Sequence, residues 1–213
     1  MTTLPLHPDA VETIELLSGA ESPQPLFVLL HDAGGAALDM LELGNRLGDA
    51  FARAAVLIPE GLSLPSTDAP VTAETLAQAV GKLADFLRAQ QQRFNLLQSD
   101  TALVGFGAGA TLALALSIAH DGLVGRVLTF GGGYAAWPAS APALTTLHFL
   151  HGQQDAVVPV DRIRQDFAHL MALGADATLD VARSLGHELH PALMDQAVTR
   201  LQTCVPLRFW KAL

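Results

Sequence analysis

Six short apolar runs mark this chain, alternating through its central part with stretches of helical period: Leu26 to His31, Ala54 to Ile58, Thr101 to Phe106, Arg126 to Phe130, Thr145 to His151 and Thr178 to Ala182. Most of them lack the apolar–polar alternation of a half-solvated strand, so they are expected to be covered on both faces. Between them, Thr72 to Gln92 places Leu76, Val80, Leu83 and Leu87 on one helical stripe, and Ala108 to His120, Val160 to Leu173 and Pro191 to Thr203 read as further helices. Pro191 suits a first helical turn, and Gly174 is placed to stop the helix before it. This β-α order predicts an α/β fold, a doubly wound, mostly parallel sheet flanked by helices with right-handed crossovers. The alternating segment Glu12 to Leu16 is expected as an antiparallel edge strand. No repeat, linker or insertion of lid size interrupts the pattern, so residues 1–213 are expected to form a single domain without a cap.

Composition fits a heavily buried sheet. Half of the residues are hydrophobic and only 15% are charged, below the roughly 25% of ordinary soluble domains. The net charge of −9, from 12 basic and 21 acidic residues without a Lys/Arg run, matches neither a phosphate backbone nor an anionic membrane, so nucleic acid is not expected as a partner. No apolar stretch reaches the ~18 residues of a membrane span and no signal-peptide pattern opens the chain. With a single cysteine, Cys204, there is no internal disulfide framework, and a cytoplasmic location is expected.

In such sheets the ligand site lies beyond the carboxyl ends of the strands, and the chemistry-bearing residues of this chain fall there. His31-Asp32-Ala33-Gly34-Gly35 follows one run, Gly107-Ala108 a second, His151-Gly152 through Asp155 a third and Gly186-His187 a fourth. Residues 105–109 read Gly-Phe-Gly-Ala-Gly where the surroundings suit Gly-x-Ser-x-Gly, the strand-to-helix turn that presents a nucleophilic serine. Gly107, Asp155 and His187 occur in the order nucleophile, acid, histidine, as hydrolase triads on α/β folds do.

On these motifs the chain resembles the phospholipase/carboxylesterase family of α/β-hydrolases, in particular its small cap-less bacterial esterases, from about Leu26 to the last helix. The resemblance implies an α/β-hydrolase fold and activity on small carboxylic esters. His31 would open a loop similar to the family's His-Gly-x-Gly, with Ala33 lending one oxyanion-hole N–H and Ala108 the other. Asp155 would be the triad acid and His187 the base, with His31 and Asp32 lining the site. No cofactor or metal is implied, and the expected ligand is a small ester or acyl-like molecule.

Several departures bear on that expectation. Position 107 lacks serine, and Thr111, Ser117 and Cys204 are poor substitutes; Ser117 lies about 15 Å along the helix by its rise. Ala108 stands where these esterases usually carry glutamine. Asp32 stands where the oxyanion loop normally has glycine, and a carboxylate there would oppose a developing oxyanion. The segment from Pro59 to Val71 lacks the family's aromatic substrate loop. A degenerate nucleophile elbow, and hence an inactive or weakly active hydrolase, is the expected outcome. The alternatives are a water activated by His187, an engineered Ser-to-Gly variant of an active esterase, and a non-catalytic binding module. Several departures together favour natural divergence.

Plainer roles compete at each position. Glycine relaxes the unusual backbone of an elbow turn, and Asp155 could cap the helix that starts near Val160. His187 and His190 could suggest a metal pair, but Gly186-His187 follows a strand and the spacing is not His-Glu-x-x-His. His31 and His151 read as structural residues tying loops down. Gly131-Gly132-Gly133-Tyr134 lacks a phosphate-loop pattern and reads as a tight loop beside the site mouth. Phe209 and Trp210 read as packing on the last helix or as a homodimer contact.

Overall fold

The computed structural model describes residues 11–65 and 71–206. The apolar runs form β2 (Leu26–Leu30), β3 (Ala55–Pro59), β4 (Thr101–Phe106), β5 (Arg126–Phe130), β6 (Thr146–Gly152) and β7 (Ala177–Ala182), preceded by β1 (Thr13–Leu17). They make one seven-stranded sheet in the order β1-β3-β2-β4-β5-β6-β7. β1 pairs antiparallel with β3, and every other pairing is parallel.

Both faces of the sheet are buried, which explains the missing alternation. Leu26, Val28 and Leu30 of β2 point to one apolar layer, closed by α2 (Ala73–Phe94), α3 (Ala108–Ala119) and α4 (Val160–Ala172). Phe27 and Leu29, between them, point to the other, closed by α1 (Leu41–Ala50) and α5 (Pro191–Thr203). Local signals set the helix ends: Thr72 accepts a hydrogen bond from the Thr75 amide at the start of α2, Pro191 occupies the first turn of α5, and Gly174 after α4 takes φ +77°.

Helix α1 was not foreseen from the sequence. Gly44 and Gly48 lower helix propensity within only ten residues, although Met40, Leu43 and Leu47 supply the buried stripe. Gly44 has a packing reason: a Cβ there would stand 3.1 Å from Leu16 and 3.2 Å from Ile58, so the helix rides close on β1 and β3.

His148 of β6 is fully buried on the α5 side. Arg126 can only donate, so its contact at 3.3 Å makes Nε2 the acceptor, and Nδ1 donates to Thr178 Oγ1 at 2.9 Å. Burial first, then the Arg126 and Arg200 charges, hold its pKa down to about 4, against the opposing pull of Asp176 and Asp180. The unfolded chain therefore binds a proton here that the folded chain refuses. This contribution to stability is complete above about pH 6.5 and is lost as pH falls toward 4, by about 3 kcal/mol. Urea titrations at pH 7 and pH 4 should show the loss, and His148→Asn should remove that part of the pH slope; an unchanged slope would contradict it.

Candidate active site

The site forms where β2, β4, β6 and β7 end. At the end of β4 the chain turns into α3 through Gly107, with φ 54° and ψ −116°, a conformation that a residue with a side chain adopts only under strain. Two close approaches hold this turn. A Cβ on Gly105 would run into the backbone of Gly109 and Ala110. One on Gly109 would meet the carbonyl oxygen of Leu30 and stand 2.6 Å from that of His31. The outer glycines of the motif thus serve strand–helix packing, independent of what stands between them.

The loop after β2 is folded by its own polar groups. The Asp32 carbonyl accepts from His31 Nδ1 at 2.8 Å and from the Gly35 amide at 3.1 Å. His31 is buried, and its Nε2 lies 3.5 Å from one oxygen of the Glu60 carboxylate, whose other oxygen accepts from the Ala37 amide. Glu60 was not singled out in the sequence.

This folding aims the Asp32 carboxylate inward. Its Oδ1 accepts from the Ala33 amide at 2.8 Å and from the Ala108 amide at 2.6 Å, the two N–H groups expected to form the oxyanion hole. The α3 amino terminus adds its favourable dipole. A Cβ on Gly107 would fall on the same carboxylate, 2.6 Å from Oδ2 and closer still to Oδ1 and Cγ. Asp32 therefore fills the space in which a side chain at position 107 would begin and engages both of these amides. The signal for this lay in two departures from the expected motifs taken together: a carboxylate at 32 and a glycine at 107.

The other expected residues converge on the same point. His187, on the loop after β7, points Nδ1 at Asp155 Oδ2 (2.8 Å) and Nε2 at Asp32 Oδ2 (3.4 Å), with its ring against Phe106 at 4.8 Å between centroids. Asp155 is buried, and its Oδ1 accepts from the amides of Val157 and Val158. It does not cap α4, whose N-cap is Pro159. His151 donates from Nε2 to the Val158 carbonyl at 2.8 Å and so ties down the Asp155 loop; burial lowers its pKa, in keeping with a neutral ring. His190 accepts from the Ala192 amide at the start of α5.

The loop of three glycines forms the floor. A Cβ on Gly131 would stand 3.0 Å from His187 Nδ1, and one on Gly132 would meet the Gly107 carbonyl. Asp166 of α4 clamps this loop. Its side chain is fully buried and accepts from the Tyr134 amide (2.9 Å), Trp137 Nε1 (2.7 Å) and Arg162 Nε (3.1 Å), while Arg162 also reaches the Tyr134 carbonyl. Asp166 had no sequence signal. Of the segment expected to shape an acyl pocket, Leu62 and Leu64 are buried in the core. Residues 66–70, like Phe209 and Trp210, lie outside the described residues. Among the described residues no helix is long and apolar enough to cross a membrane.

Known proteins share this fold. The chain is 29% identical over 199 residues to Esterase YpfH of Escherichia coli strain K12, covering 88% of this chain and 86% of that protein. The crystal structure of esterase PE8 superposes with a TM-score of 0.81 at 24% identity, over 92% of this chain and 99% of that one. The carboxylesterase of Bacillus cereus superposes with 0.79 at 18% identity, over 93% and 96%. These likenesses show the α/β-hydrolase fold. The family model described as Phospholipase/Carboxylesterase matches residues 62–205, well over half of the sequence, and the chain belongs to that family.

Proposed function

We propose that this member of the carboxylesterase family has lost serine-based acyl transfer, and that its site turns over small carboxylic esters weakly or not at all. One observation carries the reading: the Asp32 carboxylate occupies both the space above Gly107 and the two backbone donors of Ala33 and Ala108. An acyl substrate needs those donors for its oxyanion, and the ground-state protein already holds an anion there. What remains is His187, oriented by Asp155 through the 2.8 Å contact, which can take a proton from water. Hydrolases stripped of a triad member retain about 10³- to 10⁴-fold catalysis over water, largely through the oxyanion hole and binding. With the hole filled, this chain is expected below that level. The mutual fit of Asp32 and Gly107 favours natural divergence over an engineered Ser-to-Gly change, and the composition and the lone Cys204 favour a cytoplasmic location.

Hydrolysis of p-nitrophenyl acetate by the purified protein tests this. Any turnover above buffer is expected to be slow, to show no acyl-enzyme burst, and to vanish in His187→Ala. A burst, or turnover that survives His187→Ala, would overturn the reading.

A further inference from the structure

We propose that Asp32 is itself a nucleophile, and that the site hydrolyses small alkyl halides through an ester of the Asp32 carboxylate. The inference rests on the reading that Asp32 has taken the serine's place, and extends it from a blocked site to a different chemistry.

Three observations support it. The two oxygens of the carboxylate are placed differently: Oδ1 is held by the amides of Ala33 and Ala108, whereas Oδ2 makes only the 3.4 Å approach to His187 Nε2. The side chain is 32% exposed, so a ligand can reach it, while Asp155 behind His187 is sealed off. Finally, His187 keeps the arrangement of a water-activating base, with Nδ1 fixed on Asp155 and Nε2 turned toward Asp32. A carboxylate that merely plugged the hole would need neither an accessible oxygen nor an oriented histidine beside it.

The same geometry selects the substrate class. Attack on an acyl carbon would create an oxyanion on the substrate, and the donors that would hold it are already engaged by Oδ1. Substitution at a saturated carbon builds no such oxyanion and needs no hole. The leaving group must depart without a proton, because His187 Nε2 has to be unprotonated to serve as base and the chain's single tyrosine, Tyr134, is buried. A halide meets that condition and an epoxide oxygen does not.

In the first step a lone pair on Asp32 Oδ2 forms a C–O bond to the saturated carbon, while the carbon–halogen bond breaks and the halide leaves with its electron pair. In the second, water adds to Asp32 Cγ and gives a proton to His187 Nε2. The negative charge collects on Oδ1, already between the Ala33 and Ala108 amides, so the hole that opposes an ester substrate serves the enzyme's own ester. Collapse breaks the bond from Cγ to the alkyl-bearing oxygen, the alcohol takes the proton from His187, and the carboxyl group returns its proton to solvent. The sum is alkyl halide plus water giving alcohol, halide and a proton. The product alcohol carries an Asp32 oxygen, and the oxygen from water stays on Asp32.

Bromoacetamide tests this on the full chain in a Cys204→Ala background, which removes the competing thiol. The parent should release more than one equivalent of bromide, and Asp32→Asn should lose that turnover. His187→Gln should stop after one equivalent, with a carbamoylmethyl group on the peptide containing Asp32. A single turnover of the parent in ¹⁸O-water should put the label into Asp32 and leave the first glycolamide unlabelled. This last measurement needs no active-site substitution and so does not depend on a variant folding. Label in the alcohol alone, or alkylation only at other residues, would overturn the proposal. Its failure is separable from that of the esterase reading: if pairing Asp32→Gly with Gly107→Ser creates an esterase while Asp32 never alkylates, the blocked-site reading stands alone.

Discussion

Gly107→Ser alone is expected to leave the protein without esterase activity, whereas Asp32→Gly combined with Gly107→Ser should raise p-nitrophenyl acetate hydrolysis by at least about a thousandfold. The single substitution puts a Cβ onto the Asp32 carboxylate, inside contact distance of three of its atoms. Either the carboxylate swings out or the elbow distorts, at about 1–3 kcal/mol of stability. Moreover, a serine that did fit would lie beside a carboxylate holding both donors its tetrahedral intermediate needs. Removing Asp32 frees the amides of Ala33 and Ala108 and leaves His187 with Asp155 in place. The test is the pair of rates: equal activity in the single and double variants would show that Asp32 does not obstruct the site. A denaturation curve for each distinguishes a silent variant from an unfolded one.

Gly109→Ala is expected to destabilise the fold by at least about 3 kcal/mol, while Gly81→Ala, also within a helix, should stabilise it by about 0.5–1 kcal/mol. The chemistry of the change is identical, so the difference isolates packing. At position 109 the new methyl group meets the carbonyls of Leu30 and His31, backbone atoms of β2 and its loop that cannot turn aside. Around Gly81, midway along α2, nothing lies within 4 Å, and alanine gains only helix propensity. Urea midpoints of the two variants against the parent measure both effects. A mild loss at 109 would mean that α3 can lift off the sheet, contrary to the close contact described above.

This contrast explains why the sheet, four of the five α-helices among the described residues and the order of the site loops were legible in the sequence. Gly105 and Gly109 record how near α3 comes to β4 and β2, a requirement of the fold that persists whether or not a serine stands between them. The strands were readable because residues such as Phe27 and Val28 face opposite apolar layers, leaving runs without polar interruption. Helix α1 was hidden by Gly44, chosen for closeness to Leu16 and Ile58 over propensity. Ala33, Gly107, Ala108, Asp155 and His187 were placed by motif and do converge. The direction of Asp32 was not legible, because it follows from the turn made by His31 and Gly35 on the Asp32 carbonyl and from the space left open by Gly107, 75 residues away in the chain. Glu60 and Asp166 were equally hidden, since a carboxylate that satisfies amides of another element has no spacing of its own.

The clamp at Asp166 also decides which wall of the site can breathe. Opening the loop of residues 131–137 would strip a fully buried carboxylate of its donors from Tyr134 and Trp137 and leave it only Arg162 of its own helix, a penalty of a few kcal/mol. The floor beneath Gly107 and His187 therefore moves with α4 as a rigid body. Traffic of ligand and water is left to the opposite rim, where Asp32 meets solvent, so the side chain that defines the site also stands at its doorway.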